Sequence, residues 1–280
     1  MSYVTCCLSI VLYTGDKNVF RGFALAVLSL IKYTPEPFCV HFMTIGASWD
    51  KNCRRLEEED FNRIKKVLNE LRPDCEIKYY DVTDSFAKHF EYSPNKKPVY
   101  SPASMTRLLL TEVIKDVDRL IYLDCDTMAT SSLVAFEELD ISNYEMAVSL
   151  DFMGHRWVKK DYFNSGVLYI NMKKVRETQL FERSIELLKK KRFYFADQTA
   201  LYKCSKDRLY IPWRFNEQRK IKDDTVIKHF NKGIRPFPFY VYNVKQWNVK
   251  KVHSFLKIHY FDDIYEQYDK LFGEYAPLDY

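Results

Sequence analysis

Arg119-Leu120-Ile121-Tyr122-Leu123 is a short, mostly apolar run that passes directly into Asp124-Cys125-Asp126. Aliphatic and aromatic residues at four of the five positions predict a buried strand. Two carboxylates one residue apart at its carboxyl end share a side, because side chains in extended backbone repeat with period two. Upstream, strand and helix patterns alternate. Val4 to Tyr13 is rich in aliphatic and β-branched residues, and from about Asn18 to Lys32 the set Phe20, Phe23, Ala24, Val27, Leu30 and Ile31 has helical spacing. Phe38 to Ile45 predicts a second strand. Leu56, Phe61, Ile64, Leu68 and Leu71 form one face of a helix ending at Pro73, and Glu76 to Val82 predicts a third strand. Such alternation implies right-handed crossovers and an α/β fold: a mostly parallel sheet with helices on both faces, Rossmann-like in its first half. Open sheets of this kind bind ligands beyond the carboxyl ends of their strands, so chemistry is expected at the Asp124-Cys125-Asp126 junction.

Downstream, prolines between Tyr92 and Pro102 mark a loop, and Ala103 to Lys115 predicts a helix carrying Arg107. Tyr162 to Asn171 is strand-like but interrupted by Asn164-Ser165-Gly166, a pattern that fits a bulge or a close approach of backbone to a ligand. Lys173 to Arg192 predicts one amphipathic helix closed by basic residues at the negative end of its dipole. Ala196 to Cys204 predicts another, and Arg214 to Ile227 reads as irregular. No repeat or linker is visible. The reading is a main unit, residues 1–238, followed by an aromatic-rich helical appendage, residues 239–280. Packing on the main unit, a homodimer contact and a peripheral membrane contact are all open for the appendage. Only Lys245 to Lys251 suit the membrane role, since Val252 to Tyr280 has two basic and six acidic residues.

The 280 residues are 47% apolar and 29% charged, the composition of an ordinary globular protein. Seven cysteines, an odd number with no CxxC pair, predict reduced and mostly buried thiols. None of the seven glycines has the GxGxxG or GxxxxGK spacing, and HExxH and GxSxG are absent. This excludes the dinucleotide fingerprint, the P-loop and the simplest metalloprotease and serine-hydrolase patterns. Ser2 to Gly15 carries no charge, but it is shorter than the roughly 18 residues of a membrane span and lacks a signal peptide's basic start. Net charge is +5, yet Arg156 to Lys251 holds 24 basic and 9 acidic residues. Such a block suits phosphates. No zinc finger or RNA-recognition signature accompanies it, so no nucleic-acid partner is expected.

The carboxylate pair offers hard oxygen ligands of the kind that hold Mg²⁺ or Mn²⁺ while substrate phosphates and water fill the remaining positions. A bare pair also occurs in plain solvated turns, so the surrounding motifs decide. They are Arg107 to Leu110, Tyr122 to Thr127, Phe163 to Asn171, Asp197 to Leu201 and His229-Phe230, in that order. From about Tyr3 to Pro238 the series resembles glycosyltransferase family 8, the group of the bacterial lipopolysaccharide galactosyl- and glucosyltransferases and of glycogenin. The resemblance implies a GT-A fold, a UDP-sugar donor, a Mn²⁺ (or Mg²⁺) ion and retention of anomeric configuration. It implies that Asp124, Asp126 and His229 hold the metal. Asp16 and Asn18 match positions that contact uracil and ribose, although Val19 stands where the family commonly has an aromatic residue. Arg107, Cys125, Asn164 and Ser165 match donor contacts, and Asp197 and Gln198 match the pair beside the anomeric carbon, as nucleophile or as bystander to same-face attack. Lys232, Gly233 and Arg235 fall in the diphosphate loop, with the glycine one place late and arginine at the lysine position. Taken alone, Asp16 and Asp197 each suit a helix N-cap, and Arg107 an ordinary ion pair.

The expected activity is metal-dependent transfer of a hexose, glucose or galactose, from a UDP-sugar to a glycan or lipid-linked saccharide, in the cytoplasm or at the cytoplasmic face of the membrane. Two alternatives are self-glucosylation of the glycogenin type and binding of nucleotide-sugar or glycan without turnover.

Overall fold

In the computed structural model of the chain, which describes residues 9–99, 101–236 and 239–280, strand β1 (Ser9–Gly15) is buried on both faces. Residues 4–8 of the expected first strand, Cys6 and Cys7 among them, lie outside the described residues. Period two divides β1 between two cores: Val11 and Tyr13 join one apolar cluster and Leu12 the other. The same division recurs in β4 (Arg119–Asp124), where Ile121 and Leu123 face one way and Leu120 and Tyr122 the other. Helices α1 (Phe20–Tyr33) and α2 (Glu58–Leu71) cover the first face, and Phe23 of α1 stacks on Phe42 of β2 (Phe38–Thr44) with ring centroids 4.3 Å apart. Helices α3 (Thr83–Phe90), Leu180–Lys190 and Ala196–Cys204 cover the second.

The remaining strands are β3 (Glu76–Asp81), β5 (Thr127–Ala129), β6 (Met146–Leu150), β7 (Phe163–Asn171), β8 (Arg208–Tyr210), β9 (Ile227–His229), β10 (Gly233–Pro236) and β11 (Phe239–Tyr242). Seven of the eleven described strands form one sheet in the order β3-β2-β1-β4-β7-β6-β8. Only β7 runs against its neighbours, so the mostly parallel sheet is as expected. This reversal matters for function. An antiparallel β7 starts where β4 ends, with Val167 opposite Leu123, and so brings Asn164-Ser165-Gly166 to the carboxyl edge beside Asp124. The pairing of β6 with β7 jumps from Val148–Leu168 to Ser149–Asn164, leaving three residues of β7 unmatched. This is the bulge the polar interruption suggested, and it re-aims side chains next to a cavity.

Two expected helices take another form. The segment holding Arg107 is a 3₁₀ helix over Pro102–Leu109, followed by a single α turn, Leu110–Val113. Pro102 fixes its first turn and Ser101 Oγ caps it by accepting from the Ala103 amide. The expected helix Lys173–Arg192 is two helices, Met172–Thr178 and Leu180–Lys190, separated by Gln179 in the left-handed region at φ 53°. No glycine or asparagine marks that break in the sequence.

The tail packs on the first core. Phe261, Ile264, Tyr265, Tyr268 and Phe272 are buried there, and the Phe20 ring meets Phe272 edge-on at 5.8 Å. Burying Ile264 and Phe272 alone contributes roughly 1.5–3 kcal/mol each. Residues on both sides of Pro238 thus share one core. Among the described residues no helix is long and apolar enough to cross a membrane, and Cys53, Cys125 and Cys204 are free thiols.

Candidate functional site

The register of β1 against β4 sets Thr14 beside Asp124, so the residues that follow both strands open onto one cavity of about 500 Å³. Asp126 leaves this edge and the chain turns at once into β5, which pairs antiparallel with β9 so that Thr127 lies opposite His229. That pairing brings His229 beside Asp126, 229 − 126 = 103 positions earlier in the chain. Asp124, Asp126 and His229 each offer a ligand atom within 4.8 Å of the others. His229 Nε2 lies 3.1 Å from Asp126 Oδ1 and 3.9 Å from Asp124 Oδ2. A second trio, His253, His259 and Asp262, sits on the tail, and none of its members lines this cavity.

Cations flank the carboxylates. Arg107 is buried and uses its whole fork: Nη2 donates to Asp124 Oδ1 at 2.7 Å, Nη1 to the Ser165 carbonyl at 2.5 Å, and Nε lies 3.1 Å from Asp197 Oδ2. The Tyr122 ring lies 4.4 Å below the guanidinium, and the Tyr122 hydroxyl donates to Asp124 Oδ1. Burial opposes the arginine's charge, but Asp124, Tyr122 and Asp197 together raise its pKa above the ordinary value. Lys245 Nζ donates to Asp126 Oδ2 and to the Phe230 carbonyl. Burial alone would raise the Asp126 pKa, but Lys245 and then His229 hold it well below the carboxylate range. Asp197 behaves oppositely: burial pushes its pKa up, Arg107 pulls it only partly back, and Asp124 adds to the rise. Oppositely shifted carboxyl groups in one cavity mark a functional site.

Of the residues singled out from the sequence, Asp16, Arg107, Cys125, Asn164, Ser165 and Lys232 line the cavity together with the trio, Asp197 and Gln198. Asp16 also caps its local turn, accepting from the Asn18 amide, and Ser101 Oγ donates to its other oxygen. Asp197 is not an N-cap; Phe195 takes that position while Asp197 turns to Arg107. Ser165 donates its backbone N–H to Gln198 Oε1, and the Cys125 thiol contacts the Thr14 carbonyl. Two residues fall outside the cavity lining: Asn18 donates to the Asn52 carbonyl, and Gly233 lies under the Tyr242 ring, where a Cβ would come within 2.3 Å. The Arg235 side chain lies outside the described residues.

Sequence reasoning missed Lys245, expected at a surface and instead turned inward, together with Asp151, Asn216 and Tyr122. Between His229 and Lys245 the strands β10 and β11 pair antiparallel with each other, and that excursion hid the lysine's place. Gly166 is a sharper case. A Cβ there would lie 2.2 Å from His229 Cε1 and 2.7 Å from Asp124 Oδ2. Gly166→Ala is therefore expected to push imidazole and carboxylate apart and to weaken Mn²⁺ binding about tenfold or more, by analogy with lost metal-site support. Titration of Mn²⁺ by its free-ion paramagnetic signal checks this; unchanged affinity would show that the trio does not share an ion.

The family profile described as Glycosyl transferase family 8 matches residues 10–248. A Haemophilus influenzae protein named as a glycosyltransferase is 27% identical over 221 residues, covering 74% of this chain and 62% of that protein. A galacturonosyltransferase-like protein of Arabidopsis thaliana is 26% identical over 206 residues, covering 65% of this chain and 55% of the relative. The chain thus spans little more than half the length of these relatives. The crystal structure of the galactosyltransferase LgtC with donor and acceptor sugar analogues superposes with a TM-score of 0.64, at 21% identity, over 92% of this chain and 94% of that one. At that identity the likeness is one of fold, and the fold is GT-A.

Proposed function

Because the chain belongs to glycosyltransferase family 8, we propose that it is a divalent-metal-dependent, retaining hexosyltransferase. Its donor is a UDP-sugar carrying glucose or galactose, and its acceptor is a glycan or a lipid-linked saccharide of the lipopolysaccharide kind. The observation that carries the reading is the meeting of Asp124, Asp126 and His229 in one cavity with Asp197 and Gln198.

The donor set fits the ion. Two carboxylates and one imidazole suit Mn²⁺, which accepts oxygen and nitrogen together, somewhat better than Mg²⁺. When bound, the ion supplies neutralising charge for the diphosphate that leaves. The protein's own residues do the rest. Arg107 holds Asp124 in place and neutralises Asp197. Lys245, with Lys232 beside the same cavity, brings positive charge to the end where the diphosphate departs, where preorganised charge lowers the barrier most. Lys245 thereby joins Lys232 and Arg235, the cations that the family resemblance assigns to the diphosphate. Asp16 and Ser101, behind the carboxyl end of β1, receive the nucleoside, and Asn164, Ser165, Asp197 and Gln198 receive the sugar.

The test is UDP release from UDP-glucose, UDP-galactose and UDP-galacturonate, with and without Mn²⁺, in the presence of saccharide acceptors. Release confined to Mn²⁺ and one hexose supports the reading, and the anomeric proton coupling of the product reports retention. Release only from UDP-galacturonate would move the donor toward the Arabidopsis relative's class. Donor binding without release would favour the non-catalytic alternative, and a hexose mass increment on the protein itself would favour self-glucosylation.

A further inference from the structure

We infer that Asn216 is a positioning residue for His229: it accepts the Nδ1 proton of the imidazole and so leaves Nε2, turned toward Asp124 and Asp126, as the nitrogen that can bind a metal. The inference rests on the metal-holding reading of that trio. It follows from a chain of hydrogen bonds whose direction is set at one end by backbone amides, which cannot be flipped.

The chain begins at Asp151. Its Oδ1 accepts from the backbone N–H of Met153 and Gly154, at 3.0 and 2.5 Å, and its Oδ2 lies 2.8 Å from the side-chain amide of Asn164. A carboxylate only accepts, so Asn164 must present Nδ2 to it. The other end of that amide receives the Gly166 N–H at 3.0 Å, which independently requires Oδ1 there. Asn164 is thus locked from both sides. Its Oδ1 is 3.0 Å from the Asn216 side chain, and two amide oxygens would repel at that distance, so Asn216 presents Nδ2. Asn216 Oδ1 is then left facing His229 Nδ1 at 3.0 Å, and that nitrogen must carry the proton. Nε2, which faces the carboxylates and donates to Asp126 while no ion is bound, is the nitrogen left to give up its proton to a metal.

Burial gives the chain its force. Asn164, Asn216 and His229 are all buried, and a buried donor or acceptor left facing its own kind loses a full hydrogen bond. Histidines that hold metals ordinarily donate their second N–H to a fixed acceptor, which sets ring orientation. Here the acceptor is neutral. An amide oxygen fixes the tautomer without adding a further negative charge beside Asp124, Asp126 and Asp197. Asn216 reaches this place because it ends the 3₁₀ turn Trp213–Asn216, and the next residue, Glu217, exchanges backbone hydrogen bonds with Ile227 and His229.

Two variants and one spectroscopic signature test this in the full chain. Asn216→Leu keeps the volume and removes both hydrogen bonds; Asn216→Asp keeps an acceptor for the Nδ1 proton. Asn216→Leu is expected to weaken Mn²⁺ binding about 10- to 100-fold, while Asn216→Asp, which keeps the Nδ1 acceptor but turns an oxygen toward Asn164 Oδ1, loses clearly less than Asn216→Leu. In the wild-type chain with ¹⁵N-labelled histidine, the His229 signal, identified by its loss in His229→Gln, should show a protonated Nδ1 with and without Mg²⁺. A bare Nδ1 overturns the inference, as does Asn216→Leu binding Mn²⁺ as tightly as wild type. Should Asn216→Leu fail to fold, the wild-type spectrum and Asn216→Asp still decide. If the wild type binds no divalent ion, the metal reading fails separately, and the tautomer remains readable in the metal-free spectrum.

Discussion

Asp126→Asn is expected to lower UDP-sugar turnover by about a thousandfold, close to 4 kcal/mol of lost transition-state stabilisation. Asp126 contacts both His229 Nε2 and Lys245 Nζ. The substitution preserves volume but removes the charge that holds the imidazole and the ammonium at one point. The carboxylate is ionised across the physiological range, because Lys245 and His229 outweigh the burial that would otherwise protonate it. Its loss is therefore felt at every working pH. The fold should survive: the Asp126 carbonyl still accepts from the Phe230 amide at 2.8 Å, and Lys245, 24% exposed, can turn to water. A thermal scan that matches wild type beside a collapsed UDP-release rate is the expected pair of results. Turnover near the wild-type rate would remove Asp126 from the site.

The first half of the fold was legible because its signals are local. The apolar spacing in Phe20 to Ile31 and in Phe61 to Leu71 repeats at helical period, and β1, β2 and β4 are runs too apolar to lie anywhere but inside a sheet. Departures came where geometry depends on distant partners. Gln179 adopts a left-handed conformation although its residue type gives no warning. Lys245 is a site residue only because β10 and β11 fold away as a hairpin and return the chain to Phe230. The carboxylate pair could be found from its strand, but His229 could be chosen only through resemblance to a family. No spacing rule encodes an antiparallel pairing of β5 with β9 across 97 intervening residues. Asn216 carried no sequence signal at all: its role exists only in the direction of hydrogen bonds that the fold assembles.

The second large effect concerns stability as well as activity. Arg107→Met is expected to destabilise the protein by about 3–5 kcal/mol, because it leaves Asp124 and Asp197 beside each other without the buried cation between them. For a chain of this size that corresponds to a fall of roughly 10 °C in the unfolding midpoint. A methionine fills much of the same space against the Tyr122 ring, so the deficit should be electrostatic, and electrostatics fix its pH dependence. Burial already holds the Asp197 pKa above its ordinary value with Arg107 in place, and removing the guanidinium can only raise it further. A carboxyl group whose folded pKa lies above its unfolded one makes the folded state the stronger proton binder. Its penalty is therefore greatest above the folded pKa and fades as pH falls toward the unfolded value. The gap between wild type and Arg107→Met should accordingly be smaller at pH 5 than at pH 7, since lowering the pH moves Asp197 toward its uncharged form. Loss of packing alone would leave the gap constant, so equal deficits at both pH values would show that Arg107 acts as a filler and not as the counter-ion of the two carboxylates. Arg107→Lys separates charge from shape: it restores a cation but not the fork that reaches Asp124, Asp197 and Ser165 at once. It should regain part of the stability while turnover stays low, since Asp124 is then neutralised without being held in place.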